Sequence, residues 1–198
     1  MQTALRRQKC KASFFFTGRF YRNPEFGSLV KRLKANGHYL GSHSDAHLLY
    51  CDWKKRDSLL VSKEQFIADL NKSFATMDSL GIDKNKALYY LPPYEWYNKT
   101  IANWTHEQGL TLINFSPGTR SAADYTWPQL GKQYQTADKI YKSIMDKEKV
   151  DGLNGFILLL HVGTDSRRTD KFYDLLEKLI LELKNKNYQF VCIDELLN

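Results

Sequence analysis

Gly37-His38-Tyr39-Leu40-Gly41-Ser42-His43-Ser44-Asp45-Ala46-His47 runs from a glycine turn through a short apolar segment into two imidazoles four residues apart. Side chains i and i+4 meet on one side of a helical turn, or where a strand end rolls into a turn, so His43 and His47 can close on one divalent ion. A third histidine, His161, ends the apolar run Gly155-Phe156-Ile157-Leu158-Leu159-Leu160. A histidine pair at one strand end and a lone histidine at another point to a hydrolytic site at the mouth of an α/β barrel.

Outward from these residues, short apolar runs alternate with longer amphipathic ones, the pattern of βα units. Strands are expected at 12–16, 39–42, 87–91, 111–114, 155–160 and 188–191, and helices at 25–35, 63–80, 99–108, 137–146 and 170–184. In the last helix Phe172, Leu175, Leu176, Leu179 and Ile180 recur with the helical period, so one stripe is buried. Gly37 and Gly81 sit where helix C-terminal glycines belong, and Ser62 or Thr136 can cap the helix that follows. The stretch 116–136 is a long polar and aromatic loop, a length associated with function. A short helix over 3–9 feeds straight into the first strand, so a barrel of this kind would lack the strand that normally precedes it.

The chain has 198 residues, 42% of them hydrophobic and 14% aromatic, enough for one domain spanning 1–198 with a real core. The longest apolar stretch, 156–160, is far too short to cross a bilayer, and no export leader opens the chain. Cys10, Cys51 and Cys192 are scattered without CxxC spacing, which argues against a disulfide framework or a zinc ribbon. The net charge of +7 is dispersed and interleaved with acids, as in Asp146-Lys147-Glu148-Lys149, and no nucleic-acid-binding motif accompanies it. Solvated faces are therefore expected, with no nucleic-acid partner; an anionic glycan is compatible with the charge.

Together these motifs resemble the polysaccharide deacetylase (NodB homology) domain, carbohydrate esterase family four. His43-Ser44-Asp45-Ala46-His47 is similar to its second motif, H-[ST]-x-x-H. Tyr90-Leu91-Pro92-Pro93-Tyr94 falls where its R-x-P-Y-type third motif stands, and Leu159-Leu160-His161 matches its fifth, L-x-H. The resemblance implies an α/β fold, a distorted and here incomplete (β/α) barrel. It implies hydrolysis of N- or O-linked acetyl groups on a carbohydrate, with His43 and His47 as ligands of a divalent metal and His161 as general acid. The metal expected is zinc, with cobalt, nickel or manganese as alternatives. The backbone N–H of Tyr94 would help hold the oxyanion and Leu159 would wall the acetyl methyl pocket; independently of the resemblance, Trp96, Trp53 and Tyr97 offer aromatic faces as a sugar platform. Members of the family usually act in the periplasm, at the cell surface or outside the cell.

The chemistry is coherent in its own right. Neutral imidazoles suit zinc and other borderline metals, and a histidine with an ordinary pKa near ~6.5 can protonate a leaving amine. Pro92-Pro93 stiffens the turn that presents Tyr94, Glu95 and Trp96.

Departures from the family pattern are equally specific. The first motif, T-F-D-D, which supplies the base and the acidic ligand, would fall before residue 1. The third-motif Arg is Leu91. The nearest string to the fourth motif, D-x-x-D-W, is Ser121-Ala122-Ala123-Asp124-Tyr125, with only its second acid in place. Asp165, Asp45 and Glu95 are the candidates for a substitute third ligand or base, although the side chain of Asp45 would point away from the pair in a regular segment. The competing expectation is a glycan-binding remnant that kept the cleft and lost the base. His38 is read as structural and His106 as solvent-facing.

Overall fold

A computed structural model describes residues 1–198. In chain order its elements are α1 (Gln2–Arg7), β1 (Ser13–Phe16), α2 (Gly18–Arg22), α3 (Gly27–Ala35), β2 (Tyr39–Ser42), α4 (Lys63–Ser79), β3 (Tyr89–Tyr90), α5 (Lys99–Glu107), β4 (Thr111–Leu112), α6 (Ala137–Asp151), α7 (Leu176–Asn185) and α8 (Ile193–Leu196). They form two compact units, Lys11–Asn114 with Val191–Asn198, and Met1–Cys10 with Phe115–Phe190. No helix is long and apolar enough to cross a membrane.

The first unit is built on a parallel sheet in the order β1-β2-β3-β4. Pairing runs from Ser13–Tyr39 to Phe16–Ser42, then through Ser42–Tyr90 to Tyr89–Thr111 and Tyr90–Leu112. Each crossover carries helix, as parallel neighbours require. The strands expected in this unit all occur, but β3 and β4 hold only two residues each. A 3-10 turn over Lys84–Lys86 takes the backbone up to Ala87, and Pro92 has no N–H to extend the ladder beyond Leu91. The core is apolar: Phe14, Phe16, Leu40 and Tyr90 from the strands and Val30, Leu33, Phe66, Leu70, Met77 and Ile101 from the helices are all buried. Ser62 accepts from the Gln65 amide while the Gln65 side chain accepts from the Ser62 amide, so α4 starts in a reciprocal capping box.

In the second unit α6 and α7 pack Ala137, Ile140, Ile144, Leu179 and Leu183 around Leu153 and Phe172. Thr136 caps α6, which runs past the expected 146 to Asp151 and stops at Gly152, whose φ of 72° suits a glycine. The segments 155–160 and 188–191 differ from expectation, since neither joins a strand ladder. Ile157 exchanges bonds with Ser116, 3.0 Å each way, and then Pro117 removes the next donor on the partner. The alternation nevertheless survives: Phe156, Leu158 and Leu160 pack on the core, which leaves Ile157, Leu159 and His161 with the opposite parity. The long loop is pinned by the wholly buried Arg168, which donates to the carbonyls of Thr126 (2.7 Å), Gln135 (3.0 Å) and Asp170 (3.1 Å).

Candidate active site

In the first unit the histidine pair lies in the loop that leaves β2. It takes the second of the two routes open to an i, i+4 pair, since β2 ends at Ser42 and no helix follows until Lys63. His43 is still tied to the sheet, its amide donating to Phe16 O (3.0 Å). The loop then turns through left-handed backbone at Ser44 (φ 64°) and His47 (φ 57°). Both are non-glycine residues, so something must hold them there. The buried Asp69 carboxylate on α4 accepts from the amides of Asp45 (2.8 Å) and Ala46 (2.9 Å), and Ser44 Oγ accepts from the His47 amide (2.9 Å).

This turn brings the Nε2 atoms of His43 and His47 to 3.1 Å. The Leu91 carbonyl lies 2.8 Å from His43 Nδ1, and a carbonyl can only accept. Nδ1 therefore carries the proton of the neutral ring, and the Nε2 lone pair points at the partner imidazole. Two nitrogen donors at ordinary zinc–nitrogen bond lengths must stand within about 4 Å of each other, a condition the 3.1 Å separation meets. The pair thus supplies two donors of the kind a borderline divalent cation takes, and no group of three or more His, Cys, Asp or Glu side chains is placed to hold one.

Of the three substitute acids, Glu95 brings Oε1 to 4.0 Å from His43 Nε2, with both side chains 15% exposed. Its position follows from Tyr94 and Glu95 being consecutive left-handed residues (φ 59° and 51°) in the 3-10 turn Pro93–Glu95. The Tyr94 ring stands edge-on to His47 at 4.4 Å, and Asn114 Nδ2 donates to the Glu95 carbonyl (3.0 Å). Asp45, as the spacing suggested, turns elsewhere. Its carboxylate is 3% exposed and meets Arg22 through both oxygens and Lys72 at 3.3 Å. Burial alone would raise the Asp45 carboxyl, but these two cations outweigh it and hold it below the usual range. Asp45 is therefore a strut of the loop. Next to Tyr94 lies an aromatic group: Trp53 is 5.5 Å from Tyr94 and 5.6 Å from Trp96. Trp96 donates from Nε1 to Asp52 O (3.3 Å).

In the second unit His161 has a partner that the motif count undervalued. Asp124 is 3% exposed, and its Oδ1 lies 2.6 Å from His161 Nδ1 while Oδ2 accepts from the His161 amide (2.7 Å). The carboxylate fixes the tautomer, so Nε2 is where this ring gains or releases a proton. Tyr125 covers the ring edge at 5.1 Å. The clue was the second acid of Ser121-Ala122-Ala123-Asp124-Tyr125. Leu159 shares the parity of His161 on the same segment. Asp165 is bound by Arg167 through both oxygens (2.8 and 2.7 Å), which holds its carboxyl well below the usual range.

The first unit thus holds a pair of close imidazoles, and the second a histidine held by a buried carboxylate. Residues 1–113 match the polysaccharide deacetylase family, and the chain belongs to it. It is 29% identical over 194 residues to a peptidoglycan-N-acetylglucosamine deacetylase of Bacillus cereus, covering 98% of this chain and 78% of that one. Other matched peptidoglycan deacetylases are covered over as little as 34% of their length, so the chain spans only part of several relatives. Among solved structures it resembles a mutant of BA3943, a pseudoenzyme of the same family from Bacillus anthracis with restored enzymatic activity. That match has a TM-score of 0.72 and 20% identity, over 99% of this chain and 60% of that one. An acetyl xylan esterase from Clostridium thermocellum, solved with a cobalt ion, superposes with a TM-score of 0.72 at 20% identity, over 98% and 80%. The α/β fold with its parallel sheet is thus that of the polysaccharide deacetylases.

Proposed function

We propose that the chain is a divalent-metal-dependent hydrolase that removes acetyl groups, N- or O-linked, from a polysaccharide or oligosaccharide. The observation that carries this reading is the histidine pair, 3.1 Å apart at Nε2 with His43 anchored on the Leu91 carbonyl. His43 and His47 would hold the ion, zinc in the first instance, and Glu95 would offer a carboxylate beside them, as third ligand or as base. When bound, the ion supplies Lewis acidity toward the acetyl carbonyl. Water adds its oxygen to the carbonyl carbon, the C–N or C–O bond breaks, and acetate and the freed sugar amine or hydroxyl leave. His161, oriented by Asp124, carries on Nε2 the proton that the leaving nitrogen or oxygen takes up. The Tyr94 N–H steadies the oxyanion, Leu159 faces the acetyl methyl, and Trp96 supports the sugar ring.

Cobalt titration followed by its visible absorption, beside acetate release from an acetylated chitooligosaccharide, tests this. Stoichiometric binding that His47→Ala abolishes, with metal-dependent acetate release, is expected. Glu95→Gln separates its two roles: a ligand loses metal affinity, a base keeps affinity and loses turnover. Leu91 in place of the family Arg, together with the likeness to a pseudoenzyme, favours a second reading, a glycan-binding remnant. Sugar binding with no acetate release under any metal would establish that instead.

A further inference from the structure

The loop between Tyr50 and Leu60 is a built feature that takes no part in the bond-breaking step. It closes on itself through the Cys51–Leu59 bridge, with Asp52 N donating to Ser58 O (3.0 Å) and Leu60 N to Tyr50 O (2.9 Å). At its tip the Asp52 carboxylate accepts from the amides of Lys54 (2.8 Å) and Lys55 (2.7 Å), which fixes the turn and leaves Trp53-Lys54-Lys55-Arg56 facing solvent. Trp53 is 55% exposed, a large apolar face that the fold does not cover. Arg56 is placed rather than loose. Its guanidinium lies 4.2 Å from the Trp96 ring centroid, its Nε donates to Tyr97 O (2.6 Å), and its own carbonyl accepts from the buried Asn98 (3.1 Å).

An indole face beside an oriented guanidinium is a complementary surface for a pyranose that bears a carboxylate. The ring stacks on the apolar face, and the two-pronged N–H edge of arginine matches a carboxylate. The aromatic contacts run without a break from His47 through Tyr94 to Trp53 and Trp96. Such a surface suits a sugar a unit or two along the same glycan from the acetylated one. We propose that Trp53 and Arg56, supported by Lys54 and Lys55, form an acidic-sugar subsite that selects glycans carrying carboxylates near the acetyl group. This rests on the deacetylase or glycan-binding reading above and sets its substrate class as an anionic rather than a neutral polysaccharide.

The test compares three probes of equal length on the whole chain by tryptophan fluorescence and calorimetry. They are N-acetylglucosamine tetrasaccharide, a tetrasaccharide alternating N-acetylglucosamine with N-acetylmuramic acid, and the methyl ester of the latter. One charge-assisted pair corresponds to about tenfold in affinity. The acidic probe should bind about tenfold tighter than its ester at low salt, and the ratio should fall toward one with added salt or in Arg56→Gln. Trp53→Ala should weaken all three. Equal affinities for acid and ester, or a ratio unmoved by Arg56→Gln, overturns the subsite and leaves the glycan reading standing. Failure of all three probes to bind overturns both. Arg56→Gln keeps the backbone carbonyl that Asn98 binds but loses the bond to Tyr97 O, so its urea midpoint is measured beside the affinities, and a native-like midpoint assigns the lost ratio to the guanidinium.

Discussion

Gly18→Ala should destabilise the chain although it improves helix propensity. Gly18 opens α2, and its amide donates to Ser44 O (2.9 Å), inside the histidine loop. A Cβ built there lies 2.9 Å from Asp45 Cγ, 3.0 Å from Arg22 Nη1 and far inside contact distance of Asp45 Oδ1. The methyl must therefore displace the carboxylate from its guanidinium. Separating a buried carboxylate from its partner costs about 3–5 kcal/mol when both are enclosed. Here Arg22 is 38% exposed and Lys72 stays within reach, so about 2–3 kcal/mol is the proper scale. Alanine returns about 0.5–1 kcal/mol of helix preference, leaving a net loss near 2 kcal/mol. For a chain of this size that lowers Tm by about 4–8 °C. Urea unfolding of a double-mutant cycle reads it directly: in an Asp45→Ala background Gly18→Ala should be neutral or slightly stabilising. Equal destabilisation in both backgrounds, or none in the native one, refutes the reasoning. Because the same displacement shifts the Ser44–His47 turn, cobalt affinity should fall with stability.

Asp124→Asn should lower acetate release about 10²–10⁴-fold, the scale seen when a histidine loses the carboxylate that sets its tautomer, while cobalt affinity is unchanged; retention of half the activity would remove Asp124 from the chemistry. Tyr90→Phe takes from the buried Tyr50 hydroxyl its 2.6 Å partner and leaves it Ser44 alone, and should cost about 1 kcal/mol in urea unfolding, part of which Tyr50→Phe in the same chain restores. His38 accepts at Nδ1 from the Ala12 amide (3.2 Å), and burial, then Lys11, lowers its pKa from 6.5. Above pH 6.5 the ring is neutral folded or unfolded and adds no slope. As pH falls below 6.5 toward the lower folded value, the unfolded chain takes the proton first and stability drops. The urea midpoint should thus fall more between pH 7 and 5 in the native protein than in His38→Asn, which keeps an acceptor but cannot titrate; parallel curves would count against it.

α4 and α6 were legible because each carries an apolar period and a side-chain cap, Ser62 and Thr136, whereas the short α2 and α8 were not expected and the helix expected from 170 begins only at Leu176, after a 3-10 turn over Phe172–Asp174. Strand existence was legible in the first unit but strand length was not, since ladders end where partners lose donors, as at Pro92 and Pro117. That is also why 155–160 keeps strand parity without a strand ladder. The histidine pair was legible from spacing, whereas the acids around it were not. Sequence proximity singled out Asp45, which the fold gives to Arg22, 23 residues away. Asp69, 24 residues from Asp45, is what shapes the turn, and no local pattern in the chain announces it. Asp124 was visible only as half of a motif, because its partner lies 37 residues on.

The left-handed residues explain why this loop needed so much support. Ser44 and His47 each hold a conformation that costs a non-glycine residue about 1–2 kcal/mol. Two amide bonds to the buried Asp69 carboxylate contribute about 1.5–3 kcal/mol each, enough to offset it. The bonds act on Asp45 and Ala46, between the two strained residues, so they stabilise the turn and not either imidazole. The turn that brings two Nε2 atoms to 3.1 Å is therefore supported from α4, outside the motif. It follows that Asp69→Asn, which keeps the shape but weakens both bonds, should loosen the pair. Cobalt affinity should drop several-fold with both imidazoles intact, and an unchanged affinity would mean that the histidines set their own separation.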